Sequence, residues 1–445
     1  MKNARPLLLV LSLAANAAQS EDLLAVYRDA AAYDAQFASA RAGLDAGREA
    51  LTQGRAGLLP SIAATANNGR TDLDYHRHSA IPAPQDIKTN YHTSGWSVSL
   101  SQPLFRWDRW AGYTQAQYRV AQAEAQFGLA RQDLILRAAQ AYFDVLQSED
   151  ALSAAEANKK AIGEQLEEAK RSFEVGTKTV VEVHDAQARY DLANAQEIVA
   201  RNDQVVRRQQ LRLLTGKTYA SLKNLRSGTP LAAPQPENID KWAEGAEQGY
   251  PGVAAAQAQL GISEQEISRQ RAGHLPALDL VANRGRSSQT GAFLSGSVGP
   301  GYDTTTTTVG VQLTLPLYAG GAVSSAVDQA VALKNKAQSD LDNARRGAAL
   351  QARQAYLGVS AGLSQVNALE AALKSSQSAL DSNKLGFEVG VRTNIDVLNA
   401  QSQFYDTRQR LVKARLDTLV AQLRLKAAAG TLAEADLAAI NALLE

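Results

Sequence analysis

Phe173-Glu174-Val175-Gly176 returns letter for letter as Phe387-Glu388-Val389-Gly390, 214 residues further on. The same spacing recurs on either side. Gln140-Ala141-Tyr142-Phe143-Asp144-Val145 answers to Gln354-Ala355-Tyr356-Leu357-Gly358-Val359, also at 214. Ser101-Gln102-Pro103-Leu104-Phe105 answers to Thr314-Leu315-Pro316-Leu317-Tyr318 at 213, and Arg55-Ala56-Gly57-Leu58-Leu59-Pro60 to Arg271-Ala272-Gly273-His274-Leu275-Pro276 at 216. Four matches in one order at nearly one offset indicate a duplicated half-chain rather than a solenoid, whose period is far shorter. The two halves should share one architecture.

Each half reads as helix, strand, loop, strand, long helix, turn, helix. The stretch from Glu21 to Gly57 is free of proline and rich in Ala, Arg, Gln and Asp, which predicts one helix stopped by Pro60. Pro276 stops its counterpart. From Trp110 to Phe173 there is again no proline, and Ile135, Ala139, Tyr142 and Leu146 recur at the steps of a packed helical seam. At 1.5 Å per residue such a helix spans on the order of 95 Å. The second half repeats it from Val323 to Phe387. Return helices follow over 179–214 and 393–429, the latter with a seam of Leu416, Leu419, Leu423 and Ala427.

After each proline the period changes to two. Trp96, Val98 and Leu100 alternate with Ser97, Ser99 and Ser101; Val309, Val311, Leu313 and Leu315 alternate with Gly310, Gln312 and Thr314. Two strands per half give four per chain, each expected at the roughly 9–11 residues of a tilted membrane strand. Four strands cannot close a barrel, and an open edge in lipid leaves unpaired backbone groups. Several chains must therefore pool their strands, and three would give twelve.

Composition narrows the class. Lys2 and Arg5, an apolar run from Leu7 to Ala15 and small residues up to Ser20 have the layout of a secretory signal. No later apolar stretch reaches the length of a spanning helix, which leaves strands as the route through a membrane. With no cysteine, disulfides, thiolate metal sites and a cysteine nucleophile are excluded, and anchoring is expected from the fold rather than a lipidated cysteine. Charges of 46 basic against 45 acidic residues give a net charge of +1, so no pull toward nucleic acid is indicated. The organisation read from this is a signal over 1–20, a first repeat over 21–228, a Pro-rich inter-repeat or equatorial segment over 229–250 expected to be irregular, a second repeat over 251–430, and a C-terminal equatorial segment over 431–445.

Taken together, Arg-Ala-Gly-x-Leu-Pro before each first strand, Pro-Leu-aromatic after each second strand, Gln-Ala-Tyr in each long helix and Phe-Glu-Val-Gly at each turn resemble the TolC family over nearly the whole mature chain. The resemblance implies a mixed fold: a twelve-stranded membrane β-barrel shared by a homotrimer, continued by a barrel of long coiled-coil α-helices in the periplasm. It implies location in the outer membrane, among its lipids. It also implies export for type I protein secretion, multidrug efflux or both, through docking with a periplasmic adaptor and an inner-membrane transporter of the ABC, RND or MFS type.

In that family the two helical turns form the gate and the adaptor contact. Here they are Val175, Gly176 and Thr177 with Lys178, and Val389, Gly390 and Val391 with Arg392. Glycine suits a helix ending in a tight reversal, so a plain C-cap accounts for part of this signal. Thr179 with Glu182 and Thr393 with Asp396 each have capping-box spacing, which gives both acids a structural role. The resemblance adds a functional one: Asp396 matches the first of two acidic positions that ring the family's constricted entrance and select cations. The second is Asn399 here, which implies weaker selectivity. Arg392 and Glu182 are candidates for a charged link latching the entrance, and Asp185, the repeat equivalent of Asn399, is a further candidate. The family's tyrosine before the second turn is Phe387, so its hydroxyl bond is missing.

Other signals point nowhere specific. His76, His78 and His92, with Asp72 and Asp74, match no established metal spacing. The glycines of 296–301 do not follow a buried strand and open a helix, as a phosphate-binding turn must. No HExxH, GxSxG or triad pattern supports catalysis, and no cofactor is implied. The competing reading, a soluble periplasmic coiled-coil scaffold, leaves the four alternating strands without a purpose.

Overall fold

The structure, a computed structural model, describes residues 21–78, 85–177, 179–226, 228–294 and 297–445. The signal expected over 1–20 and Lys178 of the first turn lie outside the described residues. The described residues form two compact units, one within 21–42, 126–253 and 344–445, the other within 43–125 and 254–343.

The second unit holds the strands β1 (Ser61–Arg77), β2 (Gln85–Phe105), β3 (Ala277–Leu294) and β4 (Ser297–Thr314), in one antiparallel sheet of order β1-β2-β3-β4. Each half supplies one hairpin, and the halves join through β2 and β3, with Ser99 opposite Asn283. The strands run to 17, 21, 18 and 18 residues, longer than expected, because hairpin pairing continues beyond the length needed to cross hydrocarbon. Register makes the faces explicit. Ile62 lies opposite Leu100, Val98 opposite Ala64, Leu280 opposite Val311 and Leu278 opposite Leu313, so these side chains share one face. The other face carries Thr65, Ser97, Ser99, Asn283 and Thr308. On this mainly apolar face Ile62, Trp96, Val98, Val309, Val311 and Leu313 are exposed, and Arg284 and Arg286 stand opposite Val98 and Trp96. At the foot of the sheet the Arg106 guanidinium grips the buried carboxylate of Asp279 with two nitrogens, at 2.8–3.2 Å. This fixes the end of β2 against the start of β3.

The first unit is helical. The region expected as a single helix from Glu21 is two, α1 (Leu23–Tyr33) and α2 (Ala35–Ala56), whose later residues belong to the second unit. Asp34 breaks them: its backbone is extended, its carboxylate accepts from the Phe37 amide at 2.9 Å, and Arg137 binds it with both terminal nitrogens at 3.1 and 2.8 Å. The long helices are α3 (Trp107–Glu174) and, in the second half, α7 (Ala322–Glu388); the return helices are α4 (Val180–Thr215) and α8 (Asn394–Ala428). Their bounds fall within a few residues of the sequence expectation. Between the halves, part of the segment expected to be irregular is the helix α5 (Ile239–Gly249), capped by Asn238, whose side chain accepts from the amides of Asp240 and Lys241. It leads into α6 (Pro251–Arg271) and stands to the second half as α1 stands to the first. A short helix α9 (Glu434–Asn441) ends the chain.

The core gathers the seams read from sequence. Leu134, Ile135, Ala139, Tyr142, Phe143 and Leu146 of α3 meet Leu416, Leu419 and Leu423 of α8, Leu23 and Val26 of α1, and Leu437 and Ile440 of α9. A fully buried leucine among these contributes roughly 1.5–3 kcal/mol. The buried Tyr142 hydroxyl donates to the Lys223 carbonyl at 2.7 Å and lies 3.3 Å from that of Glu21. It thereby ties the first residues of the described chain to the segment after α4.

Side-chain contacts set the order of the long helices in this unit. α3 holds α4 through Arg208–Glu149 and Arg207–Asp144, and holds α8 through Arg424–Gln140 and Arg408–Asp150. α8 in turn holds α7 through Arg415–Glu370 and the cluster of Val366, Leu411 and Ala414. α4 and α7 are left at the edges. Each shows exposed apolar residues seven apart: Leu192, Val199, Val206 and Leu213 on α4, and Leu350 and Leu357 on α7. That is the spacing of a coiled-coil seam.

Candidate functional site

The two helical reversals are built alike. Gly176, at φ 75°, donates its amide to the Phe173 carbonyl at 2.9 Å, and the Thr177 amide reaches the Ser172 carbonyl at 2.9 Å. Gly390, at φ 82°, donates to Phe387 at 3.0 Å, and the Val391 amide reaches Gly386 at 2.9 Å. This pair of bonds closes a helix by the Schellman motif, whose left-handed residue is glycine at little steric cost. The repeated Phe-Glu-Val-Gly therefore encodes a repeated turn. Around each glycine the apolar side chains point to solvent: Val175 is 75% exposed, Val389 65% and Val391 76%. A C-cap does not require exposed valines, so the turns present apolar surface as well as reversing the chain.

The helices that leave the turns start differently. At α8 the Thr393 hydroxyl accepts from the Asp396 amide at 3.3 Å while the Asp396 carboxylate accepts from the Thr393 amide at 3.0 Å and its hydroxyl at 2.8 Å. The capping box expected here is formed. The bonds from Thr393, backbone amide first, hold the Asp396 carboxyl below its ordinary range. At α4 Thr179 makes no side-chain capping bond, and the first turn is closed by the Glu182 amide on the Thr179 carbonyl at 3.2 Å. Spacing permits both boxes, and only the second forms. Among the described residues no ion pair joins Arg392 to Glu182 within one chain. Arg392 folds back over its own turn, its amide on the Gly386 carbonyl at 3.1 Å.

Two other candidates are brought together by a residue that sequence reasoning did not select. Arg189, on the third turn of α4, donates from Nε to Asp185 at 3.2 Å and from Nη1 to the Asn399 side-chain oxygen at 3.0 Å. Asp185 and Asn399 are repeat equivalents, and one guanidinium spans them. Beside it Leu398, 1% exposed, packs on Ile162 of α3 and Ala193 of α4. Nearer the first turn Leu166, Ala169 and Ala186 join α3 to α4, with Tyr190 and Val183 against them. The Asp185–Arg189 spacing of four is visible in sequence. The reach to Asn399, 210 residues away, is not.

Among the described residues no group of His, Asp and Glu is arranged to hold a metal. His76 is instead flanked by Asp86 across the β1–β2 hairpin at 2.8 Å and by Asp74 of its own strand at 3.2 Å.

A family model described as outer membrane efflux protein matches residues 26–217 and 242–431. The chain is 34% identical to outer membrane protein TolC of Vibrio cholerae, over 99% of this chain and 98% of the relative. It is 31% identical to the proteases secretion protein PrtF of Dickeya chrysanthemi, over 97% and 93%. The fold is similar to the CmeC outer membrane channel of Campylobacter jejuni, with a TM-score of 0.77 at 18% identity, over 92% of this chain and 86% of that one.

Proposed function

The chain belongs to the outer membrane efflux protein family and is an outer-membrane export duct, and from this premise we propose that three copies form it. Each copy gives β1–β4 to one twelve-stranded barrel among outer-membrane lipids and its long helices to a tunnel in the periplasm. One observation carries this reading: a four-stranded sheet with an exposed apolar face ends on β1 and β4. Facing lipid, each unpaired backbone group on those edges costs several kcal/mol, and pairing β4 with β1 of the next copy removes the cost around a closed ring. The helices support the same assembly, since a neighbour seated between α4 and α7 covers both exposed stripes. A soluble periplasmic scaffold would expose the apolar sheet face to water, and the family is one of outer-membrane proteins.

The duct does no chemistry. Its partners are a periplasmic adaptor, which takes the exposed valines at 175, 389 and 391 together with Gly176, Thr177 and Gly390, and an inner-membrane ABC, RND or MFS transporter. The turns also carry the entrance. Asp396, ionised at neutral pH, draws cations toward it; Asn399 lowers the charge of the next ring, and Arg392 and Glu182 link neighbouring copies. The cargo follows from the partners and includes both proteins and small toxic molecules. The experiment is the growth-inhibiting concentration of a lipophilic dye and a bile salt in a strain lacking the chain, with and without a plasmid copy. Complementable sensitisation supports efflux, whereas full resistance without the chain, together with its recovery in the soluble periplasmic fraction, would restore the scaffold reading.

A further inference from the structure

The α3–α4 hairpin belongs to the first half of the chain and the α7–α8 hairpin to the second, and their turns are free of each other in sequence. Any widening of an entrance at these turns moves one hairpin against the other and must break what ties them. Two ties lie close to both turns. Leu398 is sunk between Ile162 and Ala193, an apolar lock that loosens only if α8 lifts from α3 and α4. Over it, Arg189 Nη1 reaches Asn399 at 3.0 Å while Nε stays on Asp185 at 3.2 Å. Asn399 is on the second turn of α8, and Arg189 on the third turn of α4. The next polar tie along α8, Gln401 to Asn158, is long at 3.4 Å, and Arg408 to Asp150 is longer still at 3.7 Å.

We infer that Arg189 is a positioning residue of the entrance: its bond to Asn399 clasps the two hairpins over the Leu398 lock and is released when the entrance widens. The arrangement is not duplicated, because the repeat equivalent of Arg189 is Gln403, which bonds Thr407 on its own helix. Among the described residues this arginine clasp therefore occurs once per copy, between α4 and α8. Asp185 keeps the guanidinium aimed by charge, while the neutral amide of Asn399 makes the far end the weaker bond. Release then leaves Arg189 on Asp185 and costs little desolvation, which suits a contact that must open and close.

This inference rests on the reading of the chain as a gated duct. The test is single-channel recording of the full-length protein in planar bilayers of outer-membrane phospholipid. Arg189→Gln and Asn399→Ala each remove the bond and should raise the open-to-closed ratio roughly fivefold, as loss of one partly exposed charge-assisted hydrogen bond implies. The double variant should exceed neither single one. Asn399→Asp gives the guanidinium a second carboxylate and should lower the ratio, a direction that general weakening of the helices cannot produce. Helical melting of all four should stay close to the parent. Additive single effects, or an Asn399→Asp channel that opens as readily as the parent, would overturn the clasp. If Arg189→Gln and Asn399→Ala are silent while Arg392→Ser raises conductance, the clasp fails and the gate at the turns stands. If Arg392→Ser is silent as well, the gate reading fails and takes the clasp with it.

Discussion

Asp34→Asn tests how the break between α1 and α2 is held. In the parent the carboxylate serves two masters, the Phe37 amide at 2.9 Å and the two terminal nitrogens of Arg137. Asparagine keeps an oxygen for the amide but turns an NH2 group toward the guanidinium. Breaking a buried ion pair by removing one partner costs about 3–5 kcal/mol. Here Asp34 is 11% exposed but Arg137 is 31% exposed and keeps Asp133 at 2.6 Å, so the loss falls lower, at roughly 2 kcal/mol. For a unit of this size that is a fall of about 3–5 °C in melting temperature. The pH dependence has a definite sign. The Arg137 hydrogen bonds hold the Asp34 carboxyl below its ordinary range, with burial opposing them. A depressed folded-state pKa contributes stability above the unfolded value, near 3.9, and loses it as pH falls through the folded one. The gap between parent and variant should therefore be full at pH 7 and pH 5 and shrink below about pH 4. The assay is loss of ellipticity at 222 nm on heating the detergent-solubilised protein at pH 7, 5 and 3. Asp133→Asn is the control: its pair with Arg137 is an i,i+4 contact with a half-exposed acid, worth about 0.5 kcal/mol. An Asp34→Asn gap that is absent at pH 7, or equally large at pH 3, would refute the argument.

Gly430→Ala should destabilise the first unit by more than about 2 kcal/mol, because Gly430 sits at φ 75° and an added Cβ would meet the Gly249 carbonyl; thermal melting checks it, and an unchanged midpoint would mean the backbones part easily. Asp396→Ala should lower cation preference, read as a shifted reversal potential in a salt gradient, and cost about 1 kcal/mol of capping. Thr393→Ala should cost similar stability and leave the preference intact, so a matched loss of selectivity in both would assign Asp396 to capping alone. Val206→Glu or Leu357→Glu places a charge in an exposed apolar stripe and should reduce the trimer recovered in size-exclusion chromatography with light scattering, with little change in helical content. A trimer unaffected by both would place the subunit contact elsewhere.

The parts of this protein that sequence reveals are those set by neighbours along the chain. Gly176 and Gly390 mark the turns because only glycine accepts the left-handed backbone cheaply. Pro60 and Pro276 stand just before β1 and β3 because proline cannot continue a helix. Ile135, Ala139, Tyr142 and Leu146 point inward because their spacing matches a helical turn, and all are buried. The prolines of 229–236 predict an irregular course, and the structure places α5 directly after them, capped by Asn238.

What the tertiary structure alone decided are contacts between groups far apart in the chain. Asp34 interrupts a helix-forming stretch because Arg137, 103 residues away, repays the break with two charge-assisted bonds. Asn399 reads from sequence as a missing charge, and in the fold it is the oxygen that Arg189 holds across 210 residues. Thr179 and Thr393 carry the same spacing to an acid, yet one box closes and the other does not. Periodicity and propensity report which face a residue shows and where an element stops. They carry no information on which distant side chain will meet that face, since this follows from how whole helices pack.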